Sequence, residues 1–300
     1  MKDEIIDRIK KLKSERNAIL LAHNYQIGEI QDIADILGDS LELSQKAAKV
    51  EEEIIVFCGV RFMAETAAIL APDKTVLLPD DTAGCPMADM ITAPELIAWK
   101  RKYPGRKVVG YVNTTAEVKA ECDICCTSAN AIRVVESIPG DEILFVPDRN
   151  LAHYVSRNTK KKIIAWDGYC YVHNNFSSRD VLKKKQEFPE AELWVHPESP
   201  PDVIELADEV YSTGQMVKNA KITSAKEIII GTEEGMIYRL EKENPKKIFY
   251  PLRKASICHN MKKITLDKVL RSLENRQYRV VVPPDVAARA RGAIEKMVQL

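Results

Sequence analysis

Seven cysteines are spread over 300 residues, and three of them, Cys85, Cys170 and Cys258, stand at nearly equal separations of 85 and 88 residues. Cys85 closes the turn-rich run Pro79-Asp80-Asp81-Thr82-Ala83-Gly84, and Cys170 follows Trp166-Asp167-Gly168-Tyr169. Both fall just past a strand-like run, in loops of the kind where function collects. Three equivalent units, each presenting one such cysteine, would bring the thiols to one pseudo-threefold axis. A cubane iron–sulfur cluster has that symmetry, with three equivalent irons and an apical one. Three thiolates would leave the fourth iron open, whereas an electron-transfer cluster takes four cysteines. An open iron is a Lewis acid that polarises a hydroxyl or carbonyl oxygen. Free cysteine is also an ordinary buried small hydrophobe, and three of them with a histidine such as His173 would suit a closed zinc site. The group Cys122, Cys125 and Cys126 holds one Cys-x-x-Cys spacing but no second pair to complete four ligands, so it reads as structural.

The elements that must position these residues alternate. Strand-like runs of β-branched and apolar residues fall at 18–22, 53–58, 75–78, 107–112, 143–146, 162–165, 192–196, 209–211, 227–230 and 247–249. Helical spacing fills the intervals, for example at 61–70, 129–137 and 202–206. Near-continuous apolar strands separated by helices indicate parallel sheets covered on both faces, an α/β protein. First strands of a unit close on Ala22-His23-Asn24, Tyr111-Val112-Asn113 and Val195-His196-Pro197. Second strands are expected to close on Cys58-Gly59, Cys126-Thr127-Ser128 and Tyr211-Ser212-Thr213. A helix follows each, so backbone N–H groups gather at the strands' carboxyl ends. The expectation is three similar αβα units, 1–86, 87–172 and 173–261, about a pseudo-threefold axis with the cysteine site at their centre. The tail, 262–300, should contribute a strand at 278–282 and a final helix, and pack back on the first unit.

Composition excludes several roles. Lys plus Arg (44) equals Asp plus Glu (44), so no net field draws the chain to nucleic acid or an anionic membrane. No nucleic-acid motif is present. No apolar run approaches the roughly 18 residues a membrane span needs. Residues 1–16 are dense in charge and lack a signal core. The odd cysteine count is not that of a secreted disulfide fold, and the expected location is the cytoplasm.

The segments LAHNYQ (21–26), GDS (38–40), FCGVRFMAETA (57–67), PDDTAGCPMAD (79–89), YVNTTAEVKAECDICCTSANA (111–131), WDGYCYVH (166–173), VHPES (195–199), STGQM (212–216) and TEEGMIYRL (232–240) together resemble quinolinate synthase. They run in order through the whole chain. The resemblance implies a transferase of NAD biosynthesis, type A, with three α/β domains and one [4Fe–4S] cluster per chain held by Cys85, Cys170 and Cys258. It implies condensation of iminoaspartate with dihydroxyacetone phosphate to quinolinate, with loss of phosphate and water. An aspartate oxidase or aspartate dehydrogenase would supply the iminoaspartate. Many members carry Cys-x-x-Cys at the last ligand; Cys258-His259-Asn260-Met261 has no second thiol, so a disulfide switch is not expected here.

That chemistry sets requirements. Two carboxylates and a phosphate must be held, and helix N-termini with hydroxyls do this well. Ser40, Ser128, Ser212 and Thr213 are the candidates, each otherwise an ordinary helix cap. Proton transfers need groups within hydrogen-bond reach. Glu198 with Tyr25 is the expected acid–base pair. His23 and His196 are expected to bond substrate, with Tyr111 and Asn113 beside them and Phe62 and Met63 walling the pocket. Other readings are a different [4Fe–4S] hydro-lyase on a small hydroxy acid, a non-catalytic structural metal protein, or a threefold solute-binding protein with inert cysteines.

Overall fold

A computed structural model describes residues 2–300. Three separate four-stranded sheets, each all-parallel, organise them. The first contains β1 (Ala18–His23), β2 (Ile36–Gly38), β3 (Ile54–Cys58) and β4 (Thr75–Leu77), in the order β2-β1-β3-β4. The second contains β5 (Lys107–Tyr111), β6 (Ile124–Cys126), β7 (Glu142–Val146) and β8 (Lys162–Ala165), in the order β6-β5-β7-β8. The third contains β9 (Glu192–Val195), β10 (Glu209–Val210), β11 (Glu227–Gly231) and β12 (Ile248–Pro251), in the order β10-β9-β11-β12. One strand order thus occurs three times. The central strands are apolar on both faces, and β1 and β3 are buried along their whole length, as a sheet sandwiched between helices requires. The expected α/β class with three similar αβα units is the observed architecture.

Strand register places the repeats in correspondence. Ala22 pairs with Cys58, Gly110 with Val146, and Val195 with Gly231. His23, Tyr111 and His196 therefore occupy equivalent places, each at the carboxyl edge of its sheet. The cysteine segments correspond even more closely. The N–H groups of Arg61, Arg149 and Glu234 bond the carbonyls of Ala83, Gly168 and Ser256 at 2.8, 2.8 and 3.0 Å, each carbonyl two residues ahead of its cysteine. Gly168 has to be glycine: a Cβ there would meet the Pro147 carbonyl at 2.5 Å. Short 3-10 turns follow each cysteine at Ala88–Met90, His173–Asn175 and Met261–Lys263. Thr92, Ser177 and Thr265 then cap the helices Ala93–Lys102, Ser178–Glu187 and Leu266–Asn275.

Two sequence expectations are corrected. Cys58-Gly59 ends β3, a central strand, so it is not the counterpart of Cys126-Thr127-Ser128; that counterpart is Gly38-Asp39-Ser40, at the end of β2. The short edge strand β2 carries too little apolar pattern to announce itself. The tail run at 278–282 is not a strand. It makes one antiparallel bridge, Arg279 to Leu77, with Tyr278 and Leu78 exchanging backbone bonds. Pro283 and Pro284 follow and end any ladder.

Helix Leu266–Asn275 packs on helix Lys2–Glu15 and on β3. The final helix, Pro284–Gln299, lies between two units, touching helix Arg61–Leu70 of the first and helix Ala116–Lys119 with β6 of the second. One apolar core consequently runs through the first and second units. The seam between the first and third units includes polar contacts, such as Asn24 to Thr213 at 2.9 Å and Arg239 to Asn24 at 2.6 Å. No helix among the described residues is long and apolar enough to cross a membrane.

Candidate active site

The carboxyl ends of the central strands from all three sheets face one cavity of about 670 Å³, measured with its open mouth. Its lining falls into rows of threefold-equivalent residues. The first row is His23, Tyr111 and His196. Two residues on is the second, Tyr25, Asn113 and Glu198. The third, Ser40, Ser128 and Thr213, comes from the edge strands β2, β6 and β10. The fourth is Cys85, Cys170 and Cys258. All twelve line the cavity. Ser212 does not. It sits one residue earlier, in the capping row with Asp39, where its hydroxyl accepts the Gln215 N–H at 3.3 Å and lies 3.3 Å from the Asp39 carboxylate. Phe62 and Met63 form wall, as expected, and Met261 joins them. His259 is exposed and His153 lies on the flank of helix Arg149–Arg157; neither reaches the cavity.

Backbone geometry sets the tautomers. The Tyr25 N–H donates to His23 Nδ1 at 3.1 Å, and the Glu198 N–H donates to His196 Nδ1 at 3.3 Å. A backbone amide can only donate, so both Nδ1 atoms are bare acceptors and the proton of each neutral ring is on Nε2. Burial lowers both rings to about 3, against the pull of the Glu198 charge. His196 Nε2–H then donates to Ser128 Oγ at 3.1 Å, which leaves the serine proton free to point into the cavity.

Glu198 is almost wholly buried. It accepts the Tyr111 phenol at 2.5 Å, and His173 Nδ1 stands 2.6 Å from its other oxygen, bent off the line of an ideal hydrogen bond. Burial alone would raise this carboxyl. The neighbouring His173 and His196 rings and the bonds from His173 and Tyr111 overcome it and hold the group down to about 2. Tyr25 and Tyr111 are pushed well above the usual phenol range by burial and by the Glu198 charge, so both are protonated donors.

The expected Glu198–Tyr25 pair is not in direct contact. Two residues join them. His173 Nε2 is 2.8 Å from Thr232 Oγ1, and Thr232 Oγ1 is 2.6 Å from Tyr25 Oη. With the carboxylate as acceptor, the donors run one way: Tyr25 to Thr232 to His173 to Glu198. From the sequence His173 stood out as a zinc partner and as a histidine three residues past Cys170, and Thr232 not at all. Both occupy strand or cysteine-loop ends, and repeat position is the signal that would have found them.

Burial pushes the Cys85 thiol up to about 12 and Cys170 well above its usual range, with Cys258 raising both and Cys85 also raising Cys170; burial raises Cys258 as well. The backbone N–H three residues on, at Ala88, His173 and Met261, donates to each sulfur. Crowded soft sulfur donors braced by amides suit a thiophilic metal or cluster. A single ion has a second option, because ligand atoms of Cys170, His173 and Glu198 lie within 4.8 Å of one another. Cys122, Cys125 and Cys126 are away from the cavity. Cys125 and Cys126 are buried in β6, and Cys122 bonds the Val118 carbonyl at 3.2 Å.

Comparison with known proteins agrees with this geometry. A family model described as Quinolinate synthetase A protein matches residues 7–299. The chain belongs to that family. Quinolinate synthase of Dehalococcoides mccartyi strain CBDB1 is 58% identical over 296 residues, covering 99% of this chain and 98% of the relative. That of Thermodesulfovibrio yellowstonii is 54% identical over 301 residues, covering 100% and 99%. That of Pyrococcus abyssi is 52% identical over 299 residues, covering 99% of each. Family membership extends over all three units and the tail, so the four rows of cavity residues lie within the matched span.

Proposed function

We propose that this chain is a quinolinate synthase, condensing iminoaspartate with dihydroxyacetone phosphate to quinolinate with loss of phosphate and water. The observation that carries the reading is the convergence of three cysteines from three repeats on a cavity that also holds hydroxyls, phenols and a buried carboxylate. Cys85, Cys170 and Cys258 would hold one [4Fe–4S] cluster. Bound by three thiolates, it supplies an open iron that acts as a Lewis acid toward a substrate oxygen.

The remaining work falls to side chains. Ser40, Ser128 and Thr213 stand at the starts of helices or turns, where a hydroxyl and nearby amides bind carboxylate or phosphate. The Asn113 amide oxygen is buried without a hydrogen-bond partner, an acceptor that a substrate N–H or O–H would satisfy. His23, neutral and protonated on Nε2, offers a donor to a substrate oxygen, while His196 gives its Nε2–H to Ser128 and so turns the serine hydroxyl proton toward substrate. The chain Tyr25–Thr232–His173–Glu198 moves a proton between the two ends of the cavity as imine, enamine and dehydration steps demand. Phe62, Met63 and Met261 keep water from the imine. Reduced thiols and small soluble substrates suit a cytoplasmic enzyme fed by an aspartate oxidase or dehydrogenase.

The test is direct. The protein, reconstituted anaerobically, is assayed for iron, sulfide and zinc, then given dihydroxyacetone phosphate and iminoaspartate made in situ. Quinolinate formed by a protein carrying equal iron and sulfide is the expected result. A loaded protein that makes none overturns the activity; a zinc protein without sulfide overturns the cluster and favours the Cys170–His173–Glu198 ion site.

A further inference from the structure

The threefold correspondence breaks at one position beside the cysteines. Two residues past the central pairs Cys58, Val146 and Gly231 stand Val60, Asp148 and Glu233. Asp148 is fully buried; one carboxyl oxygen accepts the Leu151 N–H at 2.7 Å and the other the Cys170 N–H at 3.2 Å. Glu233 is fully buried too. Its Oε1 accepts the Cys258 N–H at 3.0 Å, and its Oε2 accepts the Gly235 N–H at 2.7 Å and the Lys262 ammonium at 3.0 Å. Val60 has no polar atom to offer, and the Cys85 N–H has no acceptor among the described residues. The Cys85 loop is tied instead at its rim, where Arg61 bonds the Asp81 carbonyl at 2.7 Å and Lys263 the Thr82 carbonyl at 2.6 Å, both in exposed surroundings.

We infer that Asp148 and Glu233 are positioning residues that fix Cys170 and Cys258 for the cluster, leaving Cys85 as the ligand that releases first. The inference rests on the proposed cluster. Neither acid touches a sulfur; each acts through the backbone of its cysteine. A buried carboxyl that loses its N–H donors leaves both sides unsatisfied, so each loop is held against opening.

Site-resolved alkylation tests this. Anaerobically reconstituted protein is treated with an iron chelator and pulsed with iodoacetamide, and each cysteine is followed by mass spectrometry. In the unmodified protein Cys85 should label ahead of Cys170 and Cys258. Asp148→Asn should bring Cys170 forward about tenfold, and Glu233→Gln should do the same for Cys258, a factor equal to about 1.4 kcal/mol. Either variant alone decides, should the other not fold. Val269→Ala, a core truncation in helix Leu266–Asn275, is the stability control. If the variants keep the unmodified order and rates, or accelerate all three thiols together as the control does, the positioning role is overturned. Loaded protein whose three thiols label at one rate overturns this inference alone. Protein that takes up no iron and sulfide overturns the cluster reading and the inference with it.

Discussion

Tyr111 donates its phenol to Glu198 at 2.5 Å across the seam between the second and third units. The two residues come from different rows of the threefold pattern. Tyr111 is the counterpart of His23 and His196, and Glu198 is the counterpart of Tyr25 and Asn113. A symmetric scaffold has therefore placed unlike groups at like positions, and the chemistry arises from the differences. The single carboxylate in the second row is what gives the cavity a direction: donors on the first and second units point toward the third.

Glu198→Gln keeps the shape and removes the charge. Its amide can still accept one of the two bonds, from Tyr111 or from His173, but its N–H₂ then faces the other donor. Turnover should fall by about 10²–10⁴-fold, the range of a lost general acid–base, with iron and sulfide unchanged. Full turnover with an intact cluster would remove the acid–base role. Because the carboxyl is held down to about 2, any acid limb of the rate profile above about pH 4 belongs to another group.

Stability of the cluster-free protein should decline as pH falls from about 6.5. His23 and His196 titrate near 6.5 when unfolded but near 3 when folded, so between those values the unfolded state binds more protons and gains. Each contributes a slope of at most about 1.4 kcal/mol per pH unit. Glu198 adds loss of the same sign below 4.5. Urea midpoints measured from pH 8 to 4 should show this fall, and His23→Asn should flatten it. A profile level from pH 7 to 5 would show that the histidines are not buried neutral.

Much of this was legible in residue types. Ten of the strand-like runs became strands because parallel β strands buried on both faces leave a continuous apolar signature. The cysteine separations marked the repeat. The repeat was more explicit still: Cys85, Cys170 and Cys258 are each followed seven residues later by a Thr or Ser that caps a helix. Short β2 escaped because its three residues give no period, and with it the link from Ser40 to Ser128 and Thr213. Ser212 looked like a pocket hydroxyl because capping and anion binding use the same residue types; only register separates them. Repeat position could have flagged His173 and Thr232 singly, but not the relay itself, which depends on the Tyr25 phenol of the first unit reaching Thr232 of the third.

Serine replacements of the cysteines should divide into two sets. Changing Cys85, Cys170 or Cys258 should abolish iron and sulfide uptake on anaerobic reconstitution. Changing Cys122 or Cys125 should leave both at the unmodified level, because those thiols are away from the cavity. Cluster loss on changing Cys122 or Cys125, with the fold intact by circular dichroism, would contradict the assignment of ligands.

The relay between Tyr25 and Glu198 makes a prediction that a merely structural Thr232 would not meet. Thr232→Val preserves shape and removes the hydroxyl that stands 2.6 Å from Tyr25 and 2.8 Å from His173. The direct Tyr25–His173 approach, at 3.4 Å, is a poor substitute. kcat should fall by more than about tenfold while KM for both substrates holds, since the hydroxyl is outside the cavity lining and acts on proton movement alone. Thr232→Ser should restore most of the rate. Combined with Glu198→Gln, the valine change should cost little more, because a broken relay cannot be broken twice; groups that act as a unit are non-additive in this way. If the two losses multiply instead, Thr232 supports the fold of the site without carrying a proton, and Tyr25 must exchange with substrate by another path.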